Sequence, residues 1–127
     1  MLKVSTIIPH AGGWDLLHRC LTSLYKSQEV ELETIIVENG SYELIASDQV
    51  SEYPGLKILH FRDKLGFAAA CNRGIEAASG RLIFLLNNDA VVEPETLYLL
   101  SQAFESNNKL AACQPKILSL RDKKKFD

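Results

Sequence analysis

Four short apolar runs, KVSTII (3–8), LETIIV (32–37), LKILHF (56–61) and RLIFLL (81–86), are rich in β-branched and aliphatic residues and are bounded by Pro9, Gly40, Gly55 and Gly80. That pattern predicts four strands. Most of them lack clean alternation of apolar and polar residues, so they suit a sheet covered on both faces, as parallel sheets are. Between the runs the period changes to that of helices. In WDLLHRCLTSLYKSQ the residues Leu17, Cys20, Leu21, Leu24 and Tyr25 recur at three- and four-residue spacing, and Asp15 complements the macrodipole in the first turn. SYELIASDQVSEY reads as a weaker helix with Ser41 as its N-cap. GFAAACNRGIEAASG sets Phe67, Ala70, Cys71, Gly74, Ile75 and Ala78 on one stripe and ends at Gly80, a natural C′ residue. EPETLYLLSQAFESN makes a further helix with Pro94 near its first turn, where a missing N–H costs nothing. LAACQPKILSL can supply another strand, interrupted by Pro115. Strand and helix alternating in this way define an α/β class with a mostly parallel central sheet and helices on both faces. Residues 1–127 read as a single domain, with no repeat or linker.

The chain's totals exclude several alternatives. Its 127 residues, 46% hydrophobic and 24% charged, are ordinary for one small globular domain, which argues against disorder or a fibrous class. No apolar run approaches the roughly 20 residues of a bilayer span. The N-terminal MLKVSTIIPHAGG lacks the longer apolar segment and small-residue cleavage site of a signal peptide, so a cytoplasmic location is expected. Cys20, Cys71 and Cys113 are odd in number and far apart, and they read as reduced core thiols. A net charge of −2 gives no attraction to nucleic acid, and the basic tail RDKKKFD reads as a solvated end.

Ligands of open parallel sheets bind outside the carboxyl ends of the strands, near a switch in strand order. That rule selects PHAGGW, ENGS, RDKLGF and NNDA. Asn87 and Asp89 lie two residues apart and share a side if the strand continues that far. Their oxygens suit Mg²⁺ or Mn²⁺, which bind through one or two carboxylates plus substrate phosphates. The same residues also make a plain turn, because Asn and Asp bond their own backbone. In ENGS, Glu38 can accept bonds from a ribose or base N–H, or Asn39-Gly40 can be a turn with Glu38 solvated. In KLGFAAACNRG, the small residues and the free N–H groups of a helix start favour close approach of an anion, with Lys64, Asn72 and Arg73 facing it; a helix packed tightly on the sheet explains the same residues. His10, His18 and His60 show no metal-ligand spacing.

Taken together and in order, VSTIIPHAGGWDLLHRCLTSL, LETIIVENGS and LGFAAACNRGIEAASGRLIFLLNNDAVVEPETL resemble the N-terminal, nucleotide-sugar-binding half of inverting family 2 glycosyltransferases, over roughly residues 3 to 118. The resemblance implies a Rossmann-like GT-A sandwich. It implies that Pro9 and His10 line the base pocket, that Glu38 and Asn39 stand where the family reads the base or ribose, and that Gly66, Asn72 and Arg73 belong to the family's NRG helix. Asn87, Asn88 and Asp89 occupy its DXD position, with Asp89 carrying a divalent cation, Mg or Mn, and through it the sugar diphosphate. Departures are PHAGGW without the usual tyrosine and asparagine, Glu38 for aspartate, neutral Asn87, and Cys71 in place of a polar or basic residue.

The family's acceptor pocket and general base lie C-terminal to the DXD segment, and no residue here matches that base. Asp122 and Asp127 stand in the basic tail, in a context that does not resemble it, so the base is expected beyond Asp127. The expectation is a truncated portion of a longer transferase, inactive alone, whose parent reaction transfers sugar from a nucleotide-diphosphate sugar to a glycan or lipid-linked acceptor. Self-pairing through an exposed sheet edge and peripheral association at the inner face of a membrane accompany that expectation. A non-catalytic nucleotide-binding module is the alternative. A dinucleotide-binding or receiver-like domain is disfavoured, because no GxGxxG follows the first strand and no acidic cluster suits a phosphoacceptor.

Overall fold

The computed structural model describes residues 1–40 and 43–122. Its elements follow the order β1 (Leu2–His10), α1 (Trp14–Leu24), β2 (Val30–Asn39), α2 (Ser47–Val50), β3 (Leu56–Phe61), α3 (Phe67–Ala77), β4 (Leu82–Leu85) and α4 (Thr96–Ser106). The four strands are all parallel and lie in the order β3-β2-β1-β4. The chain thus steps from β1 through β2 to β3, then returns past both to place β4 on the far side of β1. The strand order reverses between β1 and β4, which makes their carboxyl ends the crevice of this sheet.

Side chains alternate across the sheet, and each face buries its own set. Val4, Ile8 and Ile36 pack with Leu17, Cys20, Leu21 and Leu24 of α1, joined by Val92 from the segment that leads into α4 and by Leu97 of α4 itself. Ile7, Ile35 and Val37 point the other way, against Ala70 of α3. Helices therefore cover both faces, which is why the central strands are apolar without alternation. α3 lies close because it is built of small residues. A Cβ added at Gly74 would collide with Cγ2 of Ile7 and press on Cγ2 of Val37 at 3.2 Å.

Where α3 leaves the sheet, a buried carboxylate ties several segments together. Glu33 accepts bonds from Ser5 Oγ (2.5 Å), from the Ser79 backbone N–H and hydroxyl (both 2.8 Å) and from Lys57 Nζ (3.0 Å). Burial by itself raises a carboxyl pKa. The bonds from Ser5, Ser79 and Lys57 outweigh it and hold Glu33 at about 2.

Several expectations are corrected. The predicted helix over 41–53 is reduced to the single turn Ser47–Val50, and its proposed cap Ser41 lies outside the described residues. The chain before that turn is held open because Ile45 N–H bonds Glu38 Oε1 at 2.8 Å and Ala46 N–H bonds Gln49 Oε1 at 2.9 Å. β4 has four residues rather than six. No strand forms from LAACQPKILSL among the described residues beyond one bridging residue, Leu118. On α3, Ala70, Cys71 and Gly74 are buried, but Phe67 and Ile75 at the margins of the expected stripe are exposed. All three cysteines are free, yet only Cys20 and Cys71 are core thiols, and Cys113 is exposed. Of the two tail aspartates, Asp122 is exposed, and Asp127, beyond which the general base is expected, lies outside the described residues together with the rest of the tail after Asp122.

Candidate functional site

The carboxyl ends of the strands carry a row of polar side chains in matched register. His10 of β1 stands opposite Glu38 of β2, and Glu38 stands opposite His60 of β3. Beyond β4, Asn88 closes the row from the other side, its Nδ2 donating to His10 Nδ1 at 3.0 Å. An amide NH₂ only donates, so His10 accepts at Nδ1 and is neutral there. Burial agrees with this. His10 is 2% exposed, and burial outweighs the Glu38 charge and a backbone bond to Gly12 to pull its pKa below the usual 6.5.

Glu38 is buried as well, and both its oxygens are engaged. Oε1 takes the Ile45 N–H, and Oε2 lies 3.2 Å from His60 Nδ1. Asn39, on the opposite face, clasps the loop before α3: its Oδ1 accepts from Leu65 N–H (2.6 Å) and its Nδ2 donates to the Leu65 carbonyl (2.8 Å). Gly66 follows as the N-cap of α3. Gly40, with φ +69, turns the chain at the end of β2 where a Cβ would meet Lys64 Cβ at 3.1 Å. These turns leave a cleft of about 730 Å³ lined by Ala11, Gly12, Gly13, Asn39, Gly40, Glu43, Arg62, Asp63 and Lys64.

The segment after β4 is a turn. Ala90 N–H bonds the Asn87 carbonyl at 3.2 Å, with Asn88 and Asp89 between them. The strand stops at Leu85, so strand alternation does not set the relation of Asn87 to Asp89, and the plain-turn reading of NNDA holds for the backbone. Asn87 and Asp89 are exposed, and Asp89 makes no hydrogen bond or ion pair among the described residues.

The turn is anchored from α1. The Cys20 thiol donates to the Asn87 carbonyl at 3.6 Å, and Ser23 Oγ accepts from Val92 N–H at 3.0 Å while donating to the Cys20 carbonyl at 2.8 Å. Burial, with the Asp89 charge added, pushes the Cys20 thiol up to about 12, so it stays a donor.

Of the sequence-predicted residues, Pro9, His10, Glu38, Asn39, Gly66, Asn87, Asn88 and Asp89 all fall at this carboxyl edge; His10, Glu38 and Asn39 are buried, and of the eight Asn39 alone lines the cleft. Asn72 and Arg73 are exposed on α3 and do not line the cleft; Arg73 pairs instead with Glu76 at 3.4 Å. Gly12, Gly13, Arg62 and Asp63, which lie in the strand-end segments PHAGGW and RDKLGF, line the cleft, though the sequence assigns none of them an individual role. Cys20 and Ser23 have the sequence signature of plain helix positions, and nothing near them in the chain signals their bonds to the turn.

As a metal site, the turn offers oxygen donors: the free Asp89 carboxylate, the exposed Asn87 amide and the part-buried Asn88 amide, whose Nδ2 is held by His10. No group of three or more His, Cys, Asp or Glu converges among the described residues. Such a set fits a hard cation shared with a diphosphate, which needs only one or two protein carboxylates.

The arrangement is that of an α/β protein whose polar side chains gather at the carboxyl edge of the sheet, with the cleft over the ends of β1, β2 and β3 and the NNDA turn beyond β4. Comparison with known proteins narrows the class. The family model described as glycosyl transferase family 2 matches residues 5–124, and the chain belongs to that family. It is 34% identical over 116 residues to the uncharacterized glycosyltransferase YibD of Escherichia coli (strain K12), covering 87% of this chain and 33% of that protein. It is 30% identical over 114 residues to the putative glycosyltransferase EpsH of Bacillus subtilis (strain 168), with coverage of 87% and 33%. The chain thus spans about a third of the length of these relatives.

Among solved structures, S. aureus TarS 1-349 in complex with UDP-GlcNAc matches with a TM-score of 0.72 at 18% identity, over 92% of this chain and 40% of that one. The mannosyltransferase PcManGT from Pyrobaculum calidifontis, in complex with GDP-Man and Mn²⁺, matches with a TM-score of 0.72 at 20% identity, over 90% and 33%. The fold is the GT-A type.

Proposed function

We propose that this chain is the donor-binding part of an inverting glycosyltransferase that moves a sugar from a nucleotide-diphosphate sugar to a glycan or lipid-linked acceptor. The observation that carries the reading is the turn Asn87–Ala90. It holds an unpaired carboxylate, Asp89, at the strand switch, on the same carboxyl edge as a cleft lined by glycines and by Arg62 and Lys64. In this reading the nucleoside occupies the cleft beside Pro9, Glu38 and Asn39. The diphosphate runs toward Asp89, with the N-terminal turn of α3 at Gly66 and the amides of Asn87 and Asn88 nearby. Asn72 and Arg73 are proposed to meet the donor by rearranging from the outer side of α3. A bound Mg²⁺ or Mn²⁺ would supply Lewis-acid stabilisation of the departing nucleoside diphosphate.

The chain's own residues orient and neutralise. Asp89 supplies the anionic oxygen for the cation, and the cleft, whose glycines let the backbone approach, sets Arg62 and Lys64 beside Glu43 and Asp63, a mixed-charge lining suited to the polar edges of a nucleoside. His10 is screened from solvent and acts on the turn through Asn88. Displacement at the anomeric carbon with inversion needs a general base on the acceptor side, and none of the residues described here is assigned that role.

The test is calorimetric titration of the chain with UDP, dTDP and GDP, each with and without Mn²⁺, repeated with Asp89→Ala. The expected result is binding strengthened by Mn²⁺ in the parent chain and a metal increment that falls at least about tenfold in the variant, the loss of about 1.4 kcal/mol. An increment unchanged by Asp89→Ala would remove the turn from the donor site.

A further inference from the structure

The segment that carries Asp89 is only a few residues long and exposes Asn87, Asp89 and Val91, yet it is fastened at both ends to one helix face. We infer that Cys20 and Ser23 of α1 are positioning residues, which hold the Asn87–Val92 segment so that Asp89 keeps its aim at a cation and diphosphate. The inference rests on the donor-site reading above.

Its geometry is a bracket. On one side of Asp89 the Asn87 carbonyl receives two donors, the Cys20 thiol (3.6 Å) and the Ala90 N–H (3.2 Å). On the other side Val92 N–H is received by Ser23 Oγ at 3.0 Å. The Ser23 proton is already committed to the Cys20 carbonyl at 2.8 Å, which turns a lone pair of the hydroxyl toward Val92. The two anchors sit three residues apart on the helix, hence on neighbouring turns of one face. Cys20 is fully buried and Leu21 and Leu24 beside it are likewise in the core, so the helix itself is fixed to the sheet. From the sheet side, Leu86 N–H bonds the Ile7 carbonyl at 3.0 Å and Asn88 bonds His10. Asp89 thus carries an unbonded carboxylate in a segment held through the Asn87 carbonyl, the Asn88 side chain and the Val92 N–H. A carboxylate that shares a cation with a mobile ligand gains from such restraint, because less freedom is lost on binding.

The experiment measures the Mn²⁺ increment in nucleotide affinity, that is, the ratio of affinities with and without the cation, using UDP, dTDP and GDP on the whole chain. Ser23→Ala and Cys20→Ala are compared with Ser23→Thr, which keeps the hydroxyl, and with Leu24→Ala, which weakens the same helix while leaving both hydrogen bonds to the segment in place. Thermal unfolding is followed for all four. The increment is expected to fall about tenfold in Ser23→Ala and Cys20→Ala, to return with Ser23→Thr, and to survive in Leu24→Ala at temperatures where that variant is folded. Equal increments in the parent, Ser23→Ala and Cys20→Ala would overturn the inference and leave the donor-site reading standing. Loss in Leu24→Ala would also overturn it, by showing that general helix stability sets the increment. Absence of any increment in the parent chain would overturn the donor-site reading and this inference with it.

Discussion

Glu33 is the clearest case of a single side chain whose ionisation the fold has settled. With its pKa held at about 2 against an ordinary 4.5, the folded state favours the carboxylate, so its contribution is complete above pH 4.5 and is lost as pH falls toward 2. Glu33→Gln removes the charge while leaving the volume. It is expected to lower stability at pH 7 by about 2 kcal/mol, in the range of charge-assisted bonds, and to flatten the acid limb of a urea-unfolding series between those pH values. An acid limb as steep as the parent's would show that other carboxylates carry it. His10 has the same sign through a different cause. Its pKa is lowered by burial, so the unfolded chain takes up a proton first and stability begins to decline as pH drops below 6.5. The two declines begin at different pH, near 6.5 for His10 and near 4.5 for Glu33, which lets one titration tell them apart.

At the scale of elements, α3 shows what the packing demands. Alanine is the better helix former by about 1 kcal/mol, yet Gly74→Ala would drive a methyl group into Ile7, a fully buried β-branched residue with little room to rotate. A net loss of about 1–3 kcal/mol is expected, read as a lower melting temperature, and a neutral result would mean that α3 can slide on the sheet. Four strands, the α1 stripe and the mostly parallel character of the sheet were legible in the sequence because they rest on runs and periods that need no partner to be seen. The candidate edge was legible for a topological reason: whichever way the sheet is ordered, polar residues after apolar strands gather at one end. What escaped was set by contacts remote in sequence. The region 41–53 has helical periodicity, but Glu38 captures Ile45 N–H and the segment stays open. The hydrogen bond of buried His10 comes from Asn88, 78 residues further on, and that of Ser23 from Val92, 69 residues further on. Nothing local signals either bond.

For the molecule as a whole, the sheet order β3-β2-β1-β4 places β1 and β2 inside and β4 at an edge, where it pairs with β1 over four residues. Ile83 and Leu85 on β4 are 40% and 50% exposed, whereas Ile7 and Ile35 on the inner strands are fully buried. Amide hydrogen exchange is expected to be slowest in β1 and β2 and faster in β4, since an edge strand with an uncovered face opens at lower free energy. Equal protection across β1 and β4 would mean that the edge is covered in solution, by self-pairing or otherwise. The return of the chain from β3 to the far side of β1 bears on folding in time as well as in space. β1, β2 and β3 pair in the order in which they are synthesised, but Asn88 reaches His10 across 78 residues and Gly80 reaches Ser5 across 75. Closing loops of that length is slow compared with local pairing. On the proposed function, the capacity to hold a nucleotide should therefore emerge late, after most of the sheet exists, and a growing chain would pass through a stage that is folded in part and still without that capacity.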